Sequence, residues 1–276
     1  MSKMEHWETY NTTGIKKESL YRYMSLDKLM SLLTTKSIYM PTMDRFDDKL
    51  EGISTYDITE LQWHYETCFI EREEDIAPAM LKDWKEQKEI SASHLKSISK
   101  KMIWNQKAHY VSCWFSSDRE SDGMWRNYAK EDGFAIKVNR KQFQDKVKQS
   151  IGLNTLSRKQ NIIVGRVKYQ DFPRVIENEQ ENTVLYLAFR KDESFQHENE
   201  YRIVLVDKSQ EDKPNFFSYQ LENFEELDIT IIAHPAMKDD VFLKAKTDFE
   251  ALGEHIKVQK SELEPFYQLV DRVKQL

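Results

Sequence analysis

The chain has 276 residues, 39% of them hydrophobic and 12% aromatic, which is enough to bury a substantial core. A formal charge of -6 and a pI near 5.8 leave no basic footprint of the kind a general nucleic-acid binder carries. The 7 glycines and 6 prolines are scattered rather than gathered into a linker, so one α+β domain over residues 1–276 is expected instead of two tethered units.

Met1 to Tyr10 holds no apolar run suited to a signal peptide. Nowhere do about 18 apolar residues follow one another, so a cytoplasmic chain without a membrane span is expected. Ser19 to Met24 reads as a first strand. Ser25 is then the N-cap of an amphipathic helix through Leu26, Leu29, Met30, Leu32 and Leu33. A short strand from Ser37 to Met40 ends at Pro41, and the loop Met43 to Gly52 is dense in acids. From about Tyr56 to Lys107 the apolar spacing turns helical (Ile58, Leu61, Tyr65, Cys68, Phe69), the mark of a helical insertion.

A second strand, His109 to Ser116, leads into a helix holding Met124, Trp125 and Tyr128, and Gly133 opens a strand through Val138. There follow a charged helix near Lys141 to Gln149, a strand from Asn161 to Tyr169, and a helix from Thr183 to Arg190. The tail adds strands near Asn215 to Leu221 and Leu227 to Ala233, a helix from Lys238 to Leu252, and a last strand from His255 to Val258. Grouped strands with intervening helices predict α+β: a mixed, largely antiparallel sheet with peripheral helices. Lysines in Lys96–Lys101 and Arg140–Lys148 read as wet helix faces, and Cys68 and Cys113 as buried free thiols.

The segment Gln196 to Val206 is the most informative. Read as a strand, it sends Tyr201, Ile203 and Leu205 into the core and puts Glu198, Glu200 and Arg202 together on the other face. Two carboxylates so placed repel unless one keeps a proton, an arginine neutralises them, or a site requires them. The alternative is a solvated strand end with Arg202 as a surface partner.

Other chemistries lack their signatures. Neither GxGxxG nor GxxxxGK[ST] occurs, there is no GxSxG elbow, and the seven histidines show no HExxH or paired-cysteine spacing, so no metal is expected.

Three blocks, Leu20-Tyr21-Arg22-Tyr23, Met124-Trp125-Arg126-Asn127-Tyr128-Ala129 with Gly133, and Glu198-Asn199-Glu200-Tyr201-Arg202, resemble the bacterial family catalogued as domain of unknown function 2971. Phe46 to Glu51 is similar to that family's acidic loop, with Asp47 and Lys49 where asparagine and proline are common. The resemblance runs from about Tyr21 to Ala233, less the insertion. An early Arg22, middle-strand serines and a late Glu-x-Glu also resemble the arginine-serine-glutamate ADP-ribosyltransferases, at a distance. That second resemblance implies an ADP-ribosyltransferase-like fold and NAD as substrate.

On this resemblance Glu200 holds a ribose hydroxyl and stabilises the oxocarbenium-like cation, while Glu198 acts as general base toward the acceptor. Arg22 clamps the pyrophosphate, Ser112 or Ser116 orients the glutamate or ribose, and Trp125 or Tyr128, three apart on one helix face, stacks on a ring. The implied function is an NAD-dependent ADP-ribosyltransferase or NAD glycohydrolase acting as a toxin or phage-defence effector, with a protein or nucleic acid as acceptor. The alternative is a non-enzymatic nucleotide-sensing or partner-binding module in which Arg22 pairs with the loop acids and the late glutamates form a structural ion network. A magnesium-dependent nuclease built on Asp44, Asp47, Asp48 and Glu51 ranks last, because it lacks a recognisable ligand frame.

Overall fold

The computed structural model describes residues 6–171, 184–209, 212–263, 269–270 and 272–274. Strand β1 (Trp7–Tyr10) precedes β2 (Ser19–Met24), helix α1 (Leu26–Thr35) and β3 (Ser37–Pro41). Leu29, Leu32 and Leu33 bury one face of α1, and Lys36 in the left-handed region (φ 53) ends it. Ser25 occupies the N-cap position as expected, but its side chain makes no cap bond.

The expected helical insertion is present as α2 (Thr55–Tyr65) and α3 (Leu81–Lys107), joined by one π turn and two short 3-10 turns. Then come β4 (His109–Ser116), α4 (Asp122–Tyr128), β5 (Phe134–Asn139), α5 (Arg140–Gln149), β6 (Gln160–Arg166) and β7 (Lys168–Gln170). Strands β8 (Arg190–Asp192), β9 (Glu200–Asp207), β10 (Phe216–Gln220) and β11 (Ile229–Ala233), helix α6 (Asp239–Glu250) and β12 (Ile256–Lys260) complete the chain.

Eight strands form one sheet in the order β1-β6-β9-β4-β2-β5-β11-β12. Only the outermost pairs, β1 with β6 and β11 with β12, are parallel, so the architecture is α+β with a mixed, largely antiparallel sheet. Helices α1, α5 and α6 cover one face through Leu29, Val147 and Phe249 among others. The opposite face is covered in two patches. One is built on α4, with Trp125 against Tyr21, Tyr23 and Phe115; the other joins Met43, Ala188 and Phe189 to Val111, Ile163 and Val204.

Two expected elements differ. No helix runs to Arg190: Thr183 lies outside the described residues, and Leu187–Phe189 is a short 3-10 turn feeding β8. Leu187, Ala188 and Phe189 are all buried, and three consecutive buried positions deny a helix its polar face. The long strand expected to Tyr169 breaks at Val167, whose N–H donates to the Glu200 carbonyl oxygen (3.0 Å), and β7 leaves the main sheet to pair with β8. Nor is Lys146 on a wet helix face, since it is buried and bonded to Glu226. The two thiols are free; Cys68 is buried and Cys113 half-buried.

The sheet has one weak seam. Strands β4 and β9 pair from His109 to Phe115, whereas β2 meets β4 only at Leu20–Ser116 and Tyr21–Phe115. Beyond those pairs the two strands part, and the chain next touches β4 through the isolated Thr42–Tyr110 bridge.

β1 sits tightly on β6. A Cβ on Gly165 would lie 1.9 Å from the Tyr10 carbonyl oxygen, so only glycine allows the parallel edge to form there. Gly165→Ala is expected to destabilise the fold by about 2 kcal/mol and lower the thermal midpoint in calorimetry. An unchanged midpoint would show that β1 contributes nothing to the folded state.

Candidate functional site

Where β2 and β4 part, a cleft of about 890 Å³ opens, lined among others by Arg22, Trp114, Tyr128, Lys191, Glu198 and Glu200. Arg22 forms one wall. Its Nη1 donates to Ser112 Oγ (2.9 Å), its Nη2 to the Tyr39 carbonyl oxygen (3.4 Å), and its guanidinium carbon stands 5.8 Å from the Trp114 ring centre. Burial lowers its pKa from the ordinary guanidinium value. Among the described residues no ion pair joins Arg22 to a carboxylate, so the expected pairing with the acidic loop is not what neutralises it.

The loop acid Glu51 is instead drawn into the ion network around Glu200. Lys191, on β8, stands between three carboxylates: Glu51 Oε1 at 3.0 Å, Glu200 Oε1 at 3.1 Å, and Glu198 Oε2. Arg202 meets Glu200 in a fork, Nε to Oε2 at 2.7 Å and Nη2 to Oε1 at 2.9 Å, and its Nη1 reaches Glu51 Oε2 and the Ala188 carbonyl oxygen, each at 2.7 Å. None of these five side chains is more than 7% exposed, so a solvated strand end is ruled out.

Glu198 does not belong to the strand. It closes a 3-10 turn (Glu193–Glu198), and Asn199 takes up the left-handed conformation (φ 37) before β9 begins at Glu200. Asparagine tolerates that region where most residues do not. Its side-chain amide donates to the Ser116 carbonyl oxygen, and Ser116 N–H donates back to the Asn199 carbonyl (3.0 Å), which pins the turn to the end of β4. The two glutamates therefore reach one ammonium from a turn and from a strand, not from alternate positions of one strand. On β9 itself the expected alternation holds: Tyr201, Ile203 and Leu205 join the main core.

Three carboxylates against two cations leave one formal negative charge in a buried place, and the two glutamates share the cations unequally. Burial alone would raise the Glu200 carboxyl, but Arg202 and Lys191 hold it well below the ordinary range. Burial and the neighbouring Glu200 push the Glu198 carboxyl up. Burial opposes the charge on Lys191, yet Glu200 and Glu51 hold its pKa above the ordinary value. The Cys113 thiol, half-buried in the cleft wall, is pushed well up by burial and by Glu200.

Of the residues singled out in the sequence, Arg22, Tyr128, Glu198 and Glu200 line the cleft. Ser112 is fully buried behind Arg22 and also accepts from Trp114 Nε1 at 3.0 Å. The strand register places Ser112 opposite Ile203 and Glu200 opposite Phe115, so Ser112 and Ser116 project from the face away from Glu200. They are not placed to orient that glutamate. Trp125 and Tyr128 do not share a face in the folded chain. Trp125 is 0% exposed and donates to Glu120 Oε2 at 3.0 Å, whereas Tyr128, 47% exposed, donates its hydroxyl to Glu198 Oε1. Trp125 therefore packs in the core and offers no stacking surface.

Lys191 and the role of Glu51 were not legible beforehand. The available signal is a charged triplet, Arg190-Lys191-Asp192, directly after Leu187-Ala188-Phe189, which a helix ending at Arg190 would leave at its solvated end. Among the described residues no group of three or more histidine, cysteine or acidic side chains could hold a metal ion, and no helix is long and apolar enough to cross a membrane.

Residues 124–203 match the family model described as a protein of unknown function, DUF2971. The matched stretch covers less than half of the chain. It carries Tyr128, Lys191, Glu198, Glu200 and Arg202; Arg22 and Glu51 precede it. No curated protein and no solved structure matches the chain.

Arg202→Met would leave Glu51 and Glu200 short of a buried partner, and a loss of about 3–5 kcal/mol is expected in urea unfolding at pH 7. The pH dependence has a definite sign. A carboxyl whose folded pKa lies below its unfolded value stabilises the fold above the unfolded value of about 4.3, and that contribution disappears as pH falls toward the folded value. Unfolding free energy measured from pH 7 to about 3 should fall less steeply in Glu200→Gln than in the unaltered protein; equal slopes would contradict the assignment.

Proposed function

We propose that the protein is an NAD-consuming enzyme, an ADP-ribosyltransferase or NAD glycohydrolase, with an ADP-ribosyltransferase-like arrangement of its split sheet. One observation carries the reading: the cleft between β2 and β4 is lined both by a guanidinium with no acidic partner among the described residues and by a carboxylate pair. Its volume of about 890 Å³ falls within the size range of small-molecule sites.

In this reading the pyrophosphate lies against Arg22, whose planar fork suits phosphate oxygens. The bond between C1 of the ribose and the nicotinamide nitrogen breaks, its electron pair leaves with nicotinamide, and the ribose carries the developing positive charge. Glu200, kept ionised by Arg202 and Lys191, supplies fixed negative charge near that cation in a site with little water. Glu200 already accepts three hydrogen bonds from Lys191 and Arg202, so direct contact with a ribose hydroxyl falls to Glu198, which accepts one at each oxygen. Glu198 then takes the proton from the incoming acceptor, a macromolecular group or water, as the new bond to C1 forms. A cytoplasmic toxin or phage-defence effector is the setting this activity suits.

The same occupied Glu200 oxygens favour a second reading, a nucleotide-sensing module in which the cluster is purely structural. Nicotinamide release from NAD separates the two. Glu198→Gln is expected to lower turnover by at least about 100-fold with its thermal midpoint retained. Undiminished turnover in that variant would remove Glu198 from the mechanism. Stabilisation by NAD without nicotinamide release would establish the sensing module.

A further inference from the structure

We infer that Tyr128 is the positioning residue for Glu198, fixing the carboxyl in the cleft wall through one phenol hydrogen bond while Lys191 fixes its other oxygen. The two donors take different atoms, Tyr128 Oη on Oε1 and Lys191 Nζ on Oε2, so the carboxyl plane is held from both ends. Lys191 is shared with Glu51 and Glu200. Tyr128 donates to Glu198 alone among the described contacts, which makes it the donor whose loss Glu198 would feel undivided.

The local fold is built to present that hydroxyl. Ser121 caps α4 by accepting from Met124 N–H (3.3 Å), Trp125 anchors the helix in the core, and Tyr128 is the last helical residue before the chain turns extended at Ala129. At the far side of the same turn a Cβ on Gly133 would lie 2.8 Å from Ala129 Cβ and 3.0 Å from the Met24 carbonyl oxygen, so the segment after Tyr128 is pressed against the end of β2. The ring itself is about half exposed and adds little to the core, which leaves its contact with Glu198 as its main structural consequence.

The groups facing Glu198 are Tyr128 from α4, Lys191 from β8 and Glu200 from β9. A phenol that donates to a carboxylate favours the ionised form, and Glu200 favours the protonated one. Burial and the Glu198 carboxylate keep the phenol itself protonated, so it remains a donor throughout the accessible pH range. Tyr128 thus sets both the direction of the Glu198 carboxyl and the pH at which it becomes able to accept a proton.

The inference rests on reading Glu198 as the proton-handling group of the cleft, and the test keeps the two apart. In ligand-free protein labelled with carboxyl-13C glutamate, with the Glu198 signal assigned by its absence in Glu198→Gln, Tyr128→Phe should move the Glu198 titration to higher pH. An unmoved titration overturns the inference. In nicotinamide release from NAD, Tyr128→Phe should lower kcat about tenfold with KM nearly unchanged, and carry the acidic limb of the pH profile to higher pH. A variant that lowers the thermal midpoint but leaves the acidic limb in place would mark Tyr128 as merely structural and also overturn it. If the unaltered protein releases no nicotinamide, the enzymatic reading fails, and the carboxyl titration alone decides the role of Tyr128.

Discussion

The Lys191 ammonium, enclosed by Glu51, Glu198 and Glu200, is the interaction on which the rest of the molecule depends. Each carboxylate comes from a different local setting: a loop before the helical insertion, a 3-10 turn, and the start of a central strand. A buried cation of this kind is tolerated only if its counter-charges arrive together, so the cluster ties the positions of segments far apart in the chain. Arg202 doubles the tie between Glu51 and Glu200. The insertion is attached to the same point, because the Gln106 amide on α3 donates to the Glu51 carbonyl oxygen at 2.9 Å.

A cluster so placed also explains why a sheet with a seam can leave it open. Strands β4 and β9 are bound along nearly their whole length, and β2 is bound likewise to β5, so each half of the sheet is secure without the other. The seam can then stay parted without exposing strand edges along its length: Arg22 spans it by bonding to Ser112, and Thr42 closes its far end. Small-molecule sites often occur where strands diverge, since backbone groups and side chains of both halves become available there.

Much of the fold could be read from residue patterns because period-2 and period-3.6 spacing report burial directly. The leucine face after Ser25 is a case where spacing and tertiary burial agree, whereas Ser19 to Met24 and His109 to Ser116 are legible only as short β-rich runs, buried on both faces. Spacing is silent where consecutive residues are all buried. Leu187-Ala188-Phe189 has no periodicity to read, so spacing does not separate its short turn from the end of a Thr183 to Arg190 helix. β1 is not legible in the sequence because an edge strand of mostly half-buried residues, Trp7 to Tyr10, leaves only a faint alternation. At the site, residue type was a good guide and face was a poor one. Arg22, Glu198 and Glu200 do line one cleft, but Ser112 and Ser116 project from the sheet face away from Glu200, where Ser112 meets Arg22, and Tyr128 and Trp125 part company at the helix end. Strand parity across a gap depends on where pairing stops, which no single segment of sequence reveals.

The left-handed Asn199 has a wider consequence for finding this constellation elsewhere. A Glu-x-Glu pair built on an uninterrupted strand would tolerate any residue in the middle, favouring β-branched ones. Here the middle residue must reverse the backbone's hand and reach back to the Ser116 carbonyl. A search for chains able to form the same clasp should therefore require asparagine between the glutamates, since glycine keeps only the backbone hand and aspartate has no N–H to donate, and should set aside those with valine, isoleucine or threonine there.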